Sequence, residues 1–232
     1  MDRNVVEQYR LALFGRMVMG VAHEIDNHLS VIIGFSELIQ LAAGKEEKAR
    51  DGAGKILSAG EKIGAIVQQF SRYARPLAPS PEPFLPGEMI PEILLFSRYD
   101  LGRHNVIVLP IPEVPPGVLH ADRRDFGLAI LALLFNAAEA MSETGGELSL
   151  RVSIDAAGWE FAVSDQGPGI PAGFEEKVFE AGFTTRTGPI HMGMGLPVAR
   201  HLARQAGGTL QLSNGPGGGC VATIRVPVKT RV

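Results

Sequence analysis

The first half of the fold is decided by the stretch Ala22-His23-Glu24-Ile25-Asp26-Asn27-His28-Leu29. Residues of a helical seam recur around it in steps of four and three, at Phe14, Val18, Val21, Ile25, His28, Ile32, Phe35 and Ile39. This spacing is typical of an amphipathic helix that packs in a bundle. At about 100° per residue, His23 lies on the side of the helix opposite the seam. We therefore expect an exposed His23, with Asn27 one turn further along and Glu24 beside it.

Two long helices are predicted at the start of the chain. The first covers residues 4–41, and the second begins near Lys45 with a heptad of its own at Ala49, Ala53, Ile56, Gly60, Ile63, Val67, Phe70 and Ala74. The short Ala43-Gly44 link between them predicts an antiparallel hairpin. A hairpin with one apolar stripe per helix cannot bury both stripes by itself. We therefore expect a homodimer in which two hairpins form a four-helix bundle.

The chain changes character at a cluster of prolines at Pro76, Pro79, Pro81, Pro83 and Pro86, which is typical of a semi-rigid linker. The predicted division is a helical hairpin over 1–75, a linker over 76–87 and a second domain over 88–232. In that domain the pattern predicts helices at 88–98, 123–141 and 196–205, and strands at 106–111, 118–120, 147–154, 159–165, 209–213 and 221–226. This order predicts an α+β sandwich, a mixed sheet with helices on one face.

Composition restricts the classes of function. The chain has 232 residues, of which 45% are hydrophobic and 20% charged, as in ordinary folded proteins. A net charge of -3 offers no basic surface for nucleic acid. The single cysteine, Cys220, cannot form an intramolecular disulfide, and the longest apolar run, near residues 128–135, is too short to cross a bilayer. We expect a cytoplasmic protein that binds no nucleic acid and has no membrane segment within this chain.

Four stretches of the second domain combine residues that suit a nucleotide. The stretch Asn136-Ala137-Ala138-Glu139-Ala140 lies at the end of the apolar helix, and the amide oxygen of Asn136 is a suitable ligand for magnesium. Asp165-Gln166-Gly167-Pro168-Gly169 follows a strand, so that a carboxylate and closely approaching backbone can meet a flat ligand and its exocyclic amine. A polar and aromatic loop follows at residues 179–186, and Gly193-Met194-Gly195 opens a helix, where backbone N–H groups can bind phosphate. Taken singly, each stretch has an ordinary explanation as a cap, turn or loop.

The order and spacing of these stretches resemble the catalytic core of bacterial sensor histidine kinases over essentially the whole chain. Residues 22–27 resemble the phosphoacceptor box of that family, and the four later stretches resemble its asparagine, first glycine, phenylalanine and second glycine boxes. The nitrogen-regulation-like branch is the most similar, from the sequence around His23 and the Phe-Thr-Thr-Arg run at 183–186. The resemblance implies a hairpin followed by an ATPase domain of the kind shared with type II topoisomerases, heat-shock chaperones and mismatch-repair ATPases.

The resemblance also implies roles for single residues. His23 is then the phosphoacceptor, Glu24 accepts the imidazole proton or holds its tautomer, and Asn27 orients the water that dephosphorylates a partner. Asn136 holds magnesium. The implied set for binding ATP comprises Asn136, Asp165, Gly167, Gly169, Phe183, Thr184, Arg186, Gly193, Gly195 and Leu196. The implied activity is that of an ATP-dependent protein-histidine kinase, whose partners are a second copy of the chain, a response regulator receiver domain and an upstream sensor domain or protein.

Three positions depart from the family pattern. His28 stands in place of the usual proline, Ala132 in place of the first asparagine of its box, and His191 in place of a glycine. Two other functions stay open at this point. One is a phosphotransfer or phosphatase protein with a vestigial ATPase domain, and the other is a conformational ATPase clamp.

Overall fold

The computed structural model describes residues 1–41, 45–74, 78–184 and 193–228. The helices within these ranges are α1 (Arg3–Leu41), α2 (Glu46–Ala74), α3 (Pro86–Arg103), α4 (Arg123–Ala140) and α5 (Gly195–Gln205). The strands are β1 (Glu82–Phe84), β2 (Val106–Val108), β3 (Leu119–Ala121), β4 (Gly146–Ile154), β5 (Trp159–Ser164), β6 (Thr209–Asn214) and β7 (Cys220–Val226). In this part of the chain no helix has both the length and the apolar character needed to span a membrane.

The sheet is mixed, as the sequence predicts. Its strand order is β2-β4-β5-β7-β6, in which β2 runs parallel to β4 and the other neighbours are antiparallel. Burial alternates along the central hairpin, with Leu148, Leu150 and Val152 of β4 facing the helices beside Trp159, Phe161 and Val163 of β5. A helical hairpin followed by an α+β sandwich is therefore confirmed as the fold class.

Helix α4 is buried on nearly every side. Its N-cap is Asp122, whose carboxylate accepts from the N–H groups of Arg124 and Asp125 and so caps the first turn. On the sheet side, the ring of Phe126 meets the ring of Phe161 edge-on, with 4.9 Å between the centroids. The opposite side meets the helical hairpin. A helix that is apolar all round needs a cover on each face, and here the sheet and the hairpin supply one each.

The first half of α1 belongs to the same core as the second domain. The buried side chains of this helix all lie between Val6 and Val21, and beyond that point the seam residues are half-buried against α2. Helix α1 packs against α3 and α5 as well as α2, so the buried arc turns away from the predicted seam, and Val18 is 48% exposed. Arg10 is 2% exposed and forms an ion pair with Asp125 of α4.

The segment predicted as a linker contains regular structure. Residues 82–84 form β1, which pairs antiparallel with β3, and Pro86 begins α3, where a proline needs no N–H partner. The division into domains at 1–75, 76–87 and 88–232 stays a prediction.

Two glycines test how tightly the hairpin and α4 are packed. A Cβ atom on Gly127 of α4 would lie 2.7 Å from the phenol of Tyr73, which is 1% exposed on α2. Because a buried ring cannot move aside, Gly127→Ala will lower the free energy of unfolding by about 1–3 kcal/mol. A Cβ atom on Gly54 of α2 would have nothing within 4 Å, so Gly54→Ala will raise the free energy of unfolding by about 0.5–1 kcal/mol.

Urea denaturation of both variants measures this difference, with the wild-type chain as reference. A Gly127→Ala variant as stable as Gly54→Ala would show that the hairpin does not pack against α4 as described.

Candidate active site

A single cavity brings together residues from α4, the end of β5, the loop before α5 and the start of α5. The residues of the predicted set that line it are Asn136, Asp165, Gly169, Phe183, Thr184, Gly193, Gly195 and Leu196. Gly167 lies next to it and binds the Asp165 side chain, whereas Arg186 and His191 fall outside the described residues. The roles of these residues stay predictions, but their convergence is an observation.

The Asp165 carboxylate is fixed at the cavity wall by the backbone. Its Oδ1 atom accepts from the N–H of Gly167 at 2.9 Å and from the N–H of Cys220 at 3.1 Å. The residue is 7% exposed, so these bonds hold a buried charge in one orientation. An ionised carboxylate accepts several hydrogen bonds, and this one can therefore also receive an exocyclic amine.

Two of the glycines are required by close approach of the backbone. Gly169 has a φ of 77°, and a Cβ atom there would lie 2.8 Å from the amide oxygen of Asn214, which clamps the loop through Ile170. Gly193 has a φ of 60°, and its Cβ would lie 2.5 Å from the backbone of Gly182. Both positions favour glycine because φ is positive and because there is no room for a Cβ atom.

The start of α5 directs its first turn at the cavity. Gly195 begins the helix and lines the cavity with Leu196. The first N–H groups of a helix have no partner within it, and its positive dipole end attracts anions. This is the arrangement that binds phosphate groups in many nucleotide sites.

Helix α4 presents three consecutive turns to the cavity, through Ala132, Asn136 and Glu139. Ala132 is 1% exposed and contributes a methyl group where the family pattern has an amide. Asn136 and Glu139 contribute oxygen atoms, which suit magnesium. No chemical role was predicted for Glu139 from the sequence, although its position three residues after Asn136 places both on one face of the helix.

Helix α1 supplies the remaining wall. Tyr9 and Arg16 line the cavity, and Arg16 forms ion pairs with Glu139 and Asp100. Burial opposes the charged form of Arg16, but the two carboxylates outweigh it and raise the pKa of the guanidinium above its ordinary value. Burial also raises the pKa of the Tyr9 phenol well above its usual range, so the hydroxyl stays protonated. Neither residue was identified from the sequence, but Tyr9, Arg16 and His23 are spaced by seven and so share one face of α1.

His23 lies further along this helix, outside the cavity wall. It is exposed, and its ring is 6.2 Å from the ring of Tyr99 in α3, between centroids. Glu24 is half-buried and its carboxylate lies 3.2 Å from the guanidinium of Arg98, while Asn27 is exposed. At about 1.5 Å of rise per residue, His23 is roughly 10 Å along the axis from Arg16. His28 is half-buried.

The chain is similar to known proteins in sequence and in fold. Residues 121–230 match the family described as histidine kinase-, DNA gyrase B-, and HSP90-like ATPase. Over 223 residues the chain is 29% identical to the C4-dicarboxylate transport sensor protein DctB of Rhizobium meliloti strain 1021, which covers 94% of this chain and 35% of DctB. The chain therefore spans about a third of the length of that curated relative.

Two solved structures are similar in fold. The mycobacterial sensor histidine kinase MprB is 29% identical with a TM-score of 0.54, covering 64% of this chain and 97% of that chain. Histidine kinase ThkA, in its complex with response regulator protein TrrA, is 23% identical with a TM-score of 0.55 and covers 95% of this chain and 64% of that one. The second likeness shows the fold of nearly the whole chain.

The reactivity of the Cys220 thiol provides a test of the electrostatics of the cavity. Burial and the neighbouring Asp165 carboxylate raise the pKa of its thiol to about 12. Since the thiolate is the reactive form, alkylation of the folded chain by iodoacetamide at about pH 8.5 will be at least a hundredfold slower than for a free cysteine, and its rate will still rise about tenfold per pH unit up to about pH 10.

Mass spectrometry follows this reaction without ambiguity, because the chain has one cysteine. Unfolding in urea restores the ordinary rate and serves as the control. A rate that levels off near pH 9 in the folded chain would contradict the raised pKa.

Proposed function

We propose that this chain is the catalytic core of a bacterial two-component sensor histidine kinase, and that it phosphorylates its own His23 from ATP and passes the phosphoryl group to an aspartate of a response regulator. The observation that carries this proposal is the wall that the cavity shares with α1. A site suited to a nucleotide is lined by Tyr9 and Arg16, on the helix and on the face that also bear His23.

The cavity offers groups suited to the adenine and the phosphates of ATP and to magnesium. Asp165 can accept from the adenine amino group, while the start of α5 at Gly195 and Leu196 can donate to the phosphates. Asn136 suits magnesium by the chemistry of its oxygen, and we assign the ion to it. When bound, magnesium neutralises charge on the phosphates during a loose, in-line transfer.

The proposed nucleophile is a ring nitrogen of neutral His23. The unprotonated ring nitrogen of a neutral imidazole has a lone pair that can attack the γ-phosphorus. Glu24 adjoins it and can accept the proton or hold the tautomer, a role that competes with its ion pair to Arg98. Since His23 lies outside the cavity of its own chain here, transfer requires either that the ATPase domain moves along α1 or that a second protomer supplies the cavity.

A homodimer is proposed from the surface of the hairpin. One face of α1 carries apolar side chains that are 66%, 48%, 42% and 58% exposed, at Leu11, Val18, Leu29 and Ile33. Their spacing of seven, eleven and four residues keeps them on one stripe of the helix. Burial of such a stripe against its own copy forms the four-helix bundle expected for the hairpin.

Incubation with γ-labelled ATP and magnesium tests the kinase proposal. Wild type will acquire an acid-labile, alkali-stable label, His23→Ala will acquire none, and Asn136→Ala will lose about a hundredfold in labelling rate because phosphate charge is no longer compensated. His120→Ala and Asn4→Ala are matched controls, since both side chains are exposed and neither lines the cavity.

Two other outcomes would favour the alternative functions. Hydrolysis of ATP without label on the protein would favour the conformational ATPase clamp. No label on a folded wild type, with no nucleotide binding, would favour the phosphotransfer protein with a vestigial ATPase domain.

Asn27 is proposed to orient a water molecule that dephosphorylates the regulator. It is exposed and lies one turn beyond His23, so both can face a docked partner. Asn27→Ala will retain labelling of His23 but will slow the loss of phosphate from a receiver domain by about tenfold or more. The substrate is a receiver domain that accepts label from the wild type, and Ser30→Ala, one turn further on, is the control. Unchanged phosphate loss in Asn27→Ala would remove this role.

A further inference from the structure

Arg16 occupies a position between two carboxylates at the edge of the cavity. Its guanidinium pairs with Glu139 of α4 and lies 2.5 Å from the carboxylate of Asp100 in α3. It also lies over the ring of Phe135, 4.5 Å from its centroid. Asp100 is 5% exposed and lies outside the cavity wall, whereas Glu139 is part of that wall. The two carboxylates therefore have different surroundings, although they share one arginine.

A carboxylate in this wall conflicts with the charge of a nucleotide. Glu139 lines the same cavity as the start of α5, where phosphate groups are expected to bind. An anionic side chain beside phosphate oxygens repels them unless a cation lies between. Arg16 is a cation that lies against Glu139 in this arrangement.

The oxygen atoms on this face of α4 suit a different cation. Asn136 and Glu139 are three residues apart and both line the cavity, so an amide oxygen and a carboxylate oxygen lie on one helix face. Magnesium is bound in proteins through one or two such groups together with substrate phosphates and water.

We propose that Glu139 is a second magnesium ligand beside Asn136, and that the Arg16 guanidinium holds the place of the ion until a nucleotide binds. This inference rests on the proposed function, because it requires ATP in the cavity. When ATP and magnesium bind, Glu139 exchanges the Arg16 guanidinium for the magnesium ion, and Arg16 stays beside Asp100. The exchange removes one of the contacts by which α4 holds the helix that carries His23.

Binding of a fluorescent ATP analogue to the full chain tests this, in EDTA and across a magnesium titration. For Glu139→Gln, the apparent affinity for magnesium will fall about tenfold or more, while affinity for the analogue in EDTA will be unchanged or higher because a negative charge is gone. For Arg16→Gln, the apparent affinity for magnesium will rise and affinity in EDTA will fall, because Glu139 is then left without its guanidinium.

The controls keep structural effects apart. Glu143→Gln makes the same change at an exposed glutamate one turn further on and will match the wild type. Glu139→Asp keeps a carboxylate and will retain more of the magnesium dependence than Glu139→Gln. It therefore provides a second test if Glu139→Gln folds poorly. Thermal melting verifies that each variant is folded.

The outcomes also separate this inference from the proposed function. A wild type that binds no analogue under any condition would overturn both. A wild type with magnesium-dependent binding, matched by Glu139→Gln, would overturn the second ligand and leave the kinase proposal intact. An Arg16→Gln variant whose magnesium affinity is unchanged or lower would overturn the place-holding role of Arg16.

Discussion

The structure depends on the need to cover α4 on both faces. This helix is apolar from Phe126 to Phe135, and a helix of that kind cannot leave one side in water. The sheet covers one face through Phe161, and the hairpin covers the other through Tyr73 and the first half of α1. The end of α4 then emerges where these layers meet, so Asn136 and Glu139 face a cavity to which both the sheet side and the hairpin contribute.

Charge pairs along α1 weaken toward His23. Arg10 and Asp125 are almost fully buried, and removing one partner of such a pair costs about 3–5 kcal/mol because the other charge is stranded. At the far end, the Arg98 side chain that meets Glu24 is 69% exposed, and pairs of that kind are worth about 0–1 kcal/mol. The ion pair at Arg10 therefore holds α1 to the second domain much more strongly than the ion pair at Glu24, beside the proposed phosphoacceptor.

Local pattern and short motifs predicted most of the elements but not the way they meet. The heptads predicted the extents of α1 and α2, and the glycine pair Gly145-Gly146 predicted the start of the β4–β5 hairpin. In the structure both glycines adopt positive φ. The parallel pairing of β2 with β4 and the strand β1 inside the predicted linker join segments that are distant in sequence. Such pairings depend on the whole packing, which periodicity does not report.

The same limit explains what was missed at the site. The motifs predicted Asn136, Asp165 and the glycines because the residues of each motif suit a ligand by themselves. Tyr9 and Arg16 belong to the site only because α1 packs beside α4, which no short motif reports. Ala132 also lines this wall, and beside it the Tyr9 hydroxyl and the Ala132 carbonyl oxygen lie 3.2 Å and 3.9 Å from the position of a Cβ atom on Gly195. A cavity whose wall includes α1 cannot bind a nucleotide independently of the position of that helix. If two positions of α1 differ in nucleotide affinity, nucleotide binding shifts α1 toward the position with the higher affinity. By reciprocity, the free energy of this shift equals the difference in binding free energy between the two positions.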